Sequence, residues 1–336
     1  MSIGNDPAFP APTPAQQALQ RLRQFVATQV VGQDRLIERM LTALLADGHI
    51  LVEGAPGLAK TRAINVLSRG IEGDFHRVQF TPDLLPADLT GTEIYRPQDG
   101  SFHFQQGPLF HNLVLADEIN RSPAKVQSAL LEAMAERQIT VGRVTYKLPE
   151  LFLVMATQNP IEQEGTYPLP EAQLDRFMLY VRIGYPEAQH EREILKLVRG
   201  EAKRTGTGAA RSPAFEPVGQ AVLFQAREEV LEVYMAESLE HYLLQLVLAT
   251  REPGVYGADF ARWLQYGASP RATIALDRCA RARAWLDGRD FVTPEDIQGI
   301  APDVLRHRLI LAYEAEAEGV TADRLIGELL RHVAVP

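Results

Sequence analysis

The sequence predicts an α/β protein: a parallel sheet covered on both faces, followed by a smaller all-helical domain. Three observations carry this prediction. Short, near-continuous apolar runs recur between helical stretches, the pattern of strands buried on both faces. The first run leads straight into a glycine-bearing loop, and ligands in such folds bind beyond the carboxyl ends of the strands. From about Pro186 the strand-like runs stop and only helical periodicity continues.

Met1–Pro14 holds Pro7, Pro10, Pro12 and Pro14 with little apolar content, and reads as a disordered tail. Helical spacing begins near Ala15 (Leu19, Leu22, Phe25, Val26) and resumes after Val31-Gly32-Gln33 with Leu36, Ile37, Met40, Leu41, Leu44 and Leu45. The strand candidates are Ile50–Val52, Phe75–Phe80, Leu113–Ala116, Leu151–Met155 and Met178–Val181. Beyond them, Glu191–Val198 reads as a helix and Gly200–Pro217 as a polar connection. Five further helices are expected over Val222–Val233, Ser238–Thr250, Arg271–Leu286, Thr293–Leu305 and Thr321–His332. Thr293-Pro294-Glu295-Asp296 is a strong helix start, with a threonine cap, proline in the first turn and acids at the positive dipole end. The expected division is a tail over 1–14, an α/β domain over 15–186 and a helical domain over 187–336.

Composition narrows the function classes. The chain has 336 residues, enough for roughly two domains. Its net charge of −9 disfavours nucleic acid as a partner, since phosphate grip needs a basic surface. The single cysteine, Cys279, excludes an intramolecular disulfide and reads as a small buried hydrophobe. No apolar run approaches a membrane span, and the N-terminus lacks the basic-then-apolar pattern of a signal peptide, so a soluble cytoplasmic protein is expected.

Five motifs carry chemistry. In Gly54-Ala55-Pro56-Gly57-Leu58-Ala59-Lys60-Thr61 the strand ends in a loop that closes with Lys-Thr, a cradle for polyphosphate. Lys60 can reach β- and γ-phosphates and Thr61 can ligate Mg²⁺. The general motif has glycine where Ala59 stands, and an ordinary strand–turn–helix is the competing reading. Asp117-Glu118 ends the run from Leu113. Asp117 suits Mg²⁺ and Glu118 suits the activation of an attacking water, against the alternative of a pair capping the next helix. Asn159, after the run from Leu151, can orient that water or mark a turn before Pro160. Asp175-Arg176 offers either a structural ion pair or a guanidinium for a neighbouring subunit's nucleotide. Ser269-Pro270-Arg271 opens a helix from which Arg271 either reaches phosphates or is solvated.

This ordered set resembles the AAA+ ATPases, and within them the MoxR family of the helix-2-insert clade, over Val26 to about Pro336. Gly54–Thr61 is similar to the family's Walker A, in which alanine before the lysine is usual. Leu115-Ala116-Asp117-Glu118-Ile119-Asn120-Arg121 is similar to Walker B and Thr157-Gln158-Asn159-Pro160 to sensor 1. Pro170–Phe177 is similar to the arginine-finger segment and Ser269-Pro270-Arg271 to sensor 2. The resemblance implies a P-loop αβα core with a helical lid that hydrolyses ATP to ADP with Mg²⁺ in a homo-oligomeric ring, a hexamer. It implies that Val31, Gly32 and Gln33 pack on adenine and that Gly54, Ala55, Pro56, Gly57, Leu58, Ala59, Lys60, Thr61 and Arg62 line the nucleotide with Asp117 and Arg271. Thr61 and Asp117 would hold Mg²⁺. Glu118, Lys60, Asn159, Arg176 and Arg271 would be catalytic.

The resemblance also assigns Leu84–Phe110 to the helix-2 insert, a hairpin interrupting a helix, and Ile139–Tyr146 to the hairpin before sensor 1. In related assemblies such hairpins face the ring pore, so His103 and Phe104 are candidates for client contact, with packing as the alternative. The implied function is chaperone-like remodelling or metal insertion on partner proteins, with a von Willebrand factor A domain partner. The competing readings are a helicase-like nucleic-acid motor, disfavoured because only Arg96, Arg143 and Lys147 supply cations on the hairpins, and a nucleotide-gated scaffold with little turnover.

Overall fold

Thr13 starts the first helix. Its hydroxyl accepts from Gln16 N (3.1 Å) while its own N–H donates to Gln16 Oε1 (2.9 Å), a reciprocal capping box. Helix α1 (Pro14–Ala27) therefore begins inside the stretch expected to be tail. The computed structural model describes residues 11–160, 165–207 and 215–336; most of the expected tail and the centre of the Gly200–Pro217 connection lie outside the described residues.

The α/β part runs α2 (Asp34–Leu45), β1 (Ile50–Glu53), α3 (Lys60–Arg69), β2 (Phe75–Gln79), α4 (Pro86–Thr90), β3 (Gly91–Arg96), β4 (Ser101–Gln106), β5 (Leu113–Asp117) and α5 (Ala124–Glu136). It continues with β6 (Gln138–Val141), β7 (Val144–Lys147), β8 (Leu153–Gln158), α6 (Glu171–Leu174), β9 (Leu179–Arg182) and α7 (Ala188–Thr207). Among the described residues five strands form one sheet in the order β2-β5-β8-β1-β9, every neighbouring pair parallel. Ile50, Val52, Leu113, Leu115 and Met155 on one face, and Leu51, Val114, Ala116, Val154 and Ala156 on the other, are all buried. The second set shares a core with Leu89 of α4 and Val126, Leu130 and Met134 of α5. Burial of both faces is what the apolar runs encode, each large aliphatic side chain contributing about 1.5–3 kcal/mol.

Strand β2 departs from that expectation. It is the sheet edge, and His76, Arg77 and Gln79 are exposed while Val78 points inward. An edge strand has one free flank and needs fewer apolar residues. Helix α7 also outruns the expected Glu191–Val198: it continues to Thr207, and Glu201 is held by a two-pronged ion pair with Arg62 (3.2 and 2.5 Å).

The helix-2 insert is present as the β3–β4 hairpin, with Tyr95 opposite Phe102 and Glu93 opposite Phe104. Its root needs Gly91 (φ 91°), where a Cβ would stand 2.2 Å from the Gln105 carbonyl oxygen. Hairpin β6–β7 turns at Gly142. Phe104 stacks on Tyr146 (ring centroids 4.2 Å) and meets Phe110 edge-on (5.6 Å), so it ties the two hairpins together. Phe102 and Tyr95, 67% and 53% exposed, face solvent instead.

The chain divides into two compact units at different points from those expected. Leu22–Leu44 with Gly48–Gln220 make one, so α7 belongs with the sheet rather than with the helical part. The described residues up to Arg21, Leu45–Asp47 and Ala221–Pro336 make the other. The start of α1 belongs to this second unit because Thr13 Oγ1 donates to Glu229 (2.7 Å) and Gln16 Nε2 to the Trp285 carbonyl (3.3 Å).

The second unit is α8 (Gln220–Glu232), α9 (Glu237–Arg251), α10 (Ala258–Trp263), β10 (Leu264–Tyr266), α11 (Pro270–Leu286), α12 (Pro294–Leu305), β11 (Ile310–Leu311), α13 (Tyr313–Ala317) and α14 (Ala322–His332). The short antiparallel β10–β11 ribbon was not expected; strands of three and two residues carry no readable alternation. Thr293 and Asp296 form the capping box of α12, and buried Asp296 also takes both prongs of Arg289 (2.6 and 2.7 Å). Cys279 is buried. Among the described residues no helix is long and apolar enough to cross a membrane.

Candidate active site

The loop from Gly54 to Ala59 joins β1 to α3. Gly54 N donates to the Gln158 carbonyl (3.3 Å), and a Cβ at Gly54 would stand 2.5 Å from Ile183 Cγ1, so only glycine fits there. Gly57 (φ 83°) and Ala59 (φ 60°, ψ 17°) are left-handed, which curls the chain around the loop's concave side. Ala59 has no side-chain acceptor for the first N–H groups of α3, which leaves them for an anion. The Lys60 ammonium folds back over the loop onto the carbonyls of Gly54 and Gln158. Just before the loop, Glu53 accepts from the Tyr180 hydroxyl and pairs with Arg182 Nε (3.0 Å), tying the end of β1 to β9. Burial and the Glu53 carboxylate push the Tyr180 phenol well above its ordinary range, so it stays a neutral donor.

Asp117 ends β5 and is buried. Its Oδ1 accepts from Thr157 Oγ1 (2.6 Å), and its Oδ2 faces Arg77 Nη2 (2.7 Å), Arg77 Nε (3.1 Å) and Thr61 Oγ1 (3.5 Å). Glu118 follows in a left-handed conformation (φ 57°, ψ 51°), with its N–H donating to Thr157 Oγ1 (2.9 Å). Its carboxylate oxygen Oε2 accepts from Gln79 Nε2 (2.8 Å) and meets Arg121 Nε at 3.2 Å. Phosphate loop, Asp117, Glu118 and the end of β8 thus converge at the carboxyl ends of β1, β5 and β8. Asn159, one residue beyond β8, is buried there.

Arg77, Gln79 and Thr157 complete the arrangement; the first two were not singled out from sequence, and Thr157 was named only as part of the sensor 1 stretch, without a role. The available signal was the i, i+2 pair of polar residues on a strand whose partner ends in Asp-Glu; register puts Gln79 opposite Asp117.

Each of the other expected residues has partners of its own. Gln33 is buried and donates to the Gly184 carbonyl (3.3 Å); Gly32 (φ 74°) packs against His190 and Pro186, and Val31 is half-buried beside them. Arg62 is committed to Gln29 O (2.6 Å) and Glu201. Arg176 donates to the Leu131 carbonyl of α5 (2.7 Å) and borders a cleft of about 480 Å³ that also carries Glu132 and Glu136. Arg271 belongs to the second unit, exposed in the first turn of α11, where Ser269 Oγ caps the helix by accepting its N–H (3.2 Å).

Comparison with known proteins places the whole chain in a family. Residues 49–179 match the family model described as ATPase family associated with various cellular activities (AAA), and residues 260–329 match the AAA lid domain. The chain is 46% identical to Chaperone MoxR1 of Mycobacterium tuberculosis, covering 91% of this chain and 79% of that one. It is 34% identical to Protein MoxR of Methylorubrum extorquens over 95% of both. A solved structure from Cytophaga hutchinsonii superposes with a TM-score of 0.87 at 48% identity, covering 96% of each chain. The chain belongs to the MoxR family of AAA+ ATPases.

Proposed function

We propose that this protein binds ATP in the Gly54–Thr61 loop, hydrolyses it to ADP and phosphate, and uses the cycle to remodel partner proteins. The observation that carries the reading is the convergence of Lys60 and Thr61 with the Asp117-Glu118 pair, both carboxylates held by named donors. Lys60 exchanges its two carbonyl contacts for phosphate oxygens. Glu118 takes the proton of the attacking water, and Asn159 orients that water. Arg176 leaves a main-chain carbonyl, a neutral partner, for the charge developing on a neighbouring subunit's phosphates. Arg271 couples the helical unit to nucleotide state.

A magnesium ion fits the donor set. The Thr61 hydroxyl and Asp117 carboxylate are hard oxygen donors 3.5 Å apart. That is the pattern of Mg²⁺, held by one or two protein oxygens with phosphates and water. When bound it neutralises β- and γ-phosphate charge.

The relation to proteins named MoxR and Chaperone MoxR1 supports a chaperone-like role; within this reading the protein works as a hexameric ring in the cytoplasm. Within that reading the partner carries a von Willebrand factor A domain, and the outcome is remodelling or metal insertion. The hairpin tip, with Tyr95 and Phe102 exposed, is the surface best suited to hold a client segment. The test is Glu118→Gln: ATP binding is retained, and phosphate release falls at least 10²-fold. Wild-type turnover in that variant overturns the assignment. The same variant in ATP should retain the partner in a pull-down.

A further inference from the structure

Thr157 has no solvent exposure, yet its hydroxyl makes two bonds that reach both halves of the acidic pair. It donates to Asp117 Oδ1 at 2.6 Å, a short charge-assisted bond, and accepts from the Glu118 main-chain N–H at 2.9 Å. The strand order makes this possible. Ala116 pairs with Ala156, so position 157 stands one step beyond the last β5–β8 pair, level with the end of β5; on its other flank it pairs with Val52. The next residue, Gln158, offers its carbonyl to Gly54 N and to Lys60 Nζ. Two successive residues of β8 therefore fasten the acidic pair and the phosphate loop to one strand.

Two features give the hydroxyl a task beyond filling space. Glu118 sits in the left-handed region, which is unfavourable for a residue with a Cβ, and persists there only if its surroundings hold it. Its N–H bond to Thr157 is one such restraint. Asp117 has two oxygens, and Thr157 takes Oδ1, which leaves Oδ2 as the oxygen turned toward Thr61. Valine has the same shape and β-branching but neither bond.

We propose that Thr157 is a positioning residue for ATP hydrolysis. Its hydroxyl fixes which oxygen of Asp117 faces Thr61 and where the main chain aims Glu118. The inference rests on the proposed ATPase reading and goes beyond it by assigning this role to a buried side chain whose bonds end on Asp117 and the Glu118 main chain.

The test compares Thr157→Val and Thr157→Ser with wild type. First, a fluorescent ATP analogue is titrated in EDTA and again with Mg²⁺. Wild type and the serine variant gain affinity on adding Mg²⁺. The valine variant binds in EDTA within about threefold of wild type and loses most of the Mg²⁺ gain. Second, phosphate release by the valine variant falls about 10²-fold in kcat with KM little changed, the scale of a misplaced catalytic group, while serine restores it to within a few-fold. Full Mg²⁺ gain and near-wild-type kcat in Thr157→Val overturn the inference, as does a serine variant that folds and fails like valine. If Thr157→Val does not fold, Thr157→Ala is read in the same two assays against the serine variant. Absence of nucleotide binding by wild type sinks the ATPase reading instead, so the two failures are distinguishable.

Discussion

The amide of Gln79 donates to Glu118 Oε2 across 2.8 Å, joining the edge strand β2 to the residue proposed to activate water. Arg121 meets the same oxygen at 3.2 Å. A carboxylate with two donors on one oxygen is tethered, and because both donors favour its charged form they make it a weaker base toward a proton from water.

Gln79→Ala leaves Arg121 as the donor on Oε2 and loosens the tether. Basal ATP turnover, measured as steady-state phosphate release without partner, should rise two- to fivefold, on the scale of one exposed neutral hydrogen bond. A tenfold fall would mean that Gln79 holds Glu118 in its working geometry instead.

Arg77 and a divalent cation compete for one atom. Two Arg77 bonds end on Asp117 Oδ2, the oxygen 3.5 Å from Thr61, and a further one ends on Gln79 Oε1 (3.0 Å). Arg77 is 49% exposed, so the pair is partly screened and its hold is modest. Arg77→Gln should lower the Mg²⁺ concentration for half-maximal nucleotide binding by roughly three- to tenfold. The difference should shrink as ionic strength rises. An unchanged Mg²⁺ titration would mean that Arg77 yields without cost.

On the face of β2 opposite Arg77 and Gln79, the His76 and His111 rings lie 4.8 Å apart. Desolvation first, and the charge of His111 second, hold His76 below its ordinary pKa. The folded state therefore binds its proton less readily than the unfolded chain. That leaves stability unaffected above about pH 6.5 and erodes it as pH falls through 6.5 toward the folded value. His76→Gln should flatten the fall in Tm between pH 7.5 and 5.5 by on the order of 1 °C, small because the ring is mostly solvated. A variant more acid-sensitive than wild type would reverse the sign.

Local signals account for what sequence alone made legible. The apolar runs located β1, β5, β8 and β9 to within a few residues, because buried faces leave few polar positions to confuse the pattern; edge strand β2 was located too, although His76, Arg77 and Gln79 are exposed. Loop and acidic pair were visible because strand-to-ligand chemistry lies on contiguous residues. Gln79, Arg77 and the role of Thr157 were not, since their importance comes from β2 and β8 flanking β5, and strand order is not written in any single segment. The unit boundary escaped for a related reason: Thr13 belongs with Glu229, 216 positions away, and Arg62 with Glu201. Neither pairing leaves a periodic trace.

Ala59 marks the departure from the general phosphate-loop pattern, and its backbone is left-handed (φ 60°, ψ 17°). Alanine costs roughly 1–2 kcal/mol in that region, whereas glycine enters freely. Glycine in turn loses about 0.5–1 kcal/mol more backbone entropy on folding than alanine. Ala59→Gly should therefore be neutral to about 1 kcal/mol stabilising, raising Tm by 0–4 °C, with ATP turnover within about twofold of wild type. A lower Tm would mean that the alanine methyl makes contacts outweighing the strain. A gain in Tm with a loss of turnover would mean instead that the strained alanine holds the loop rigid around the phosphates, and that glycine relaxes it.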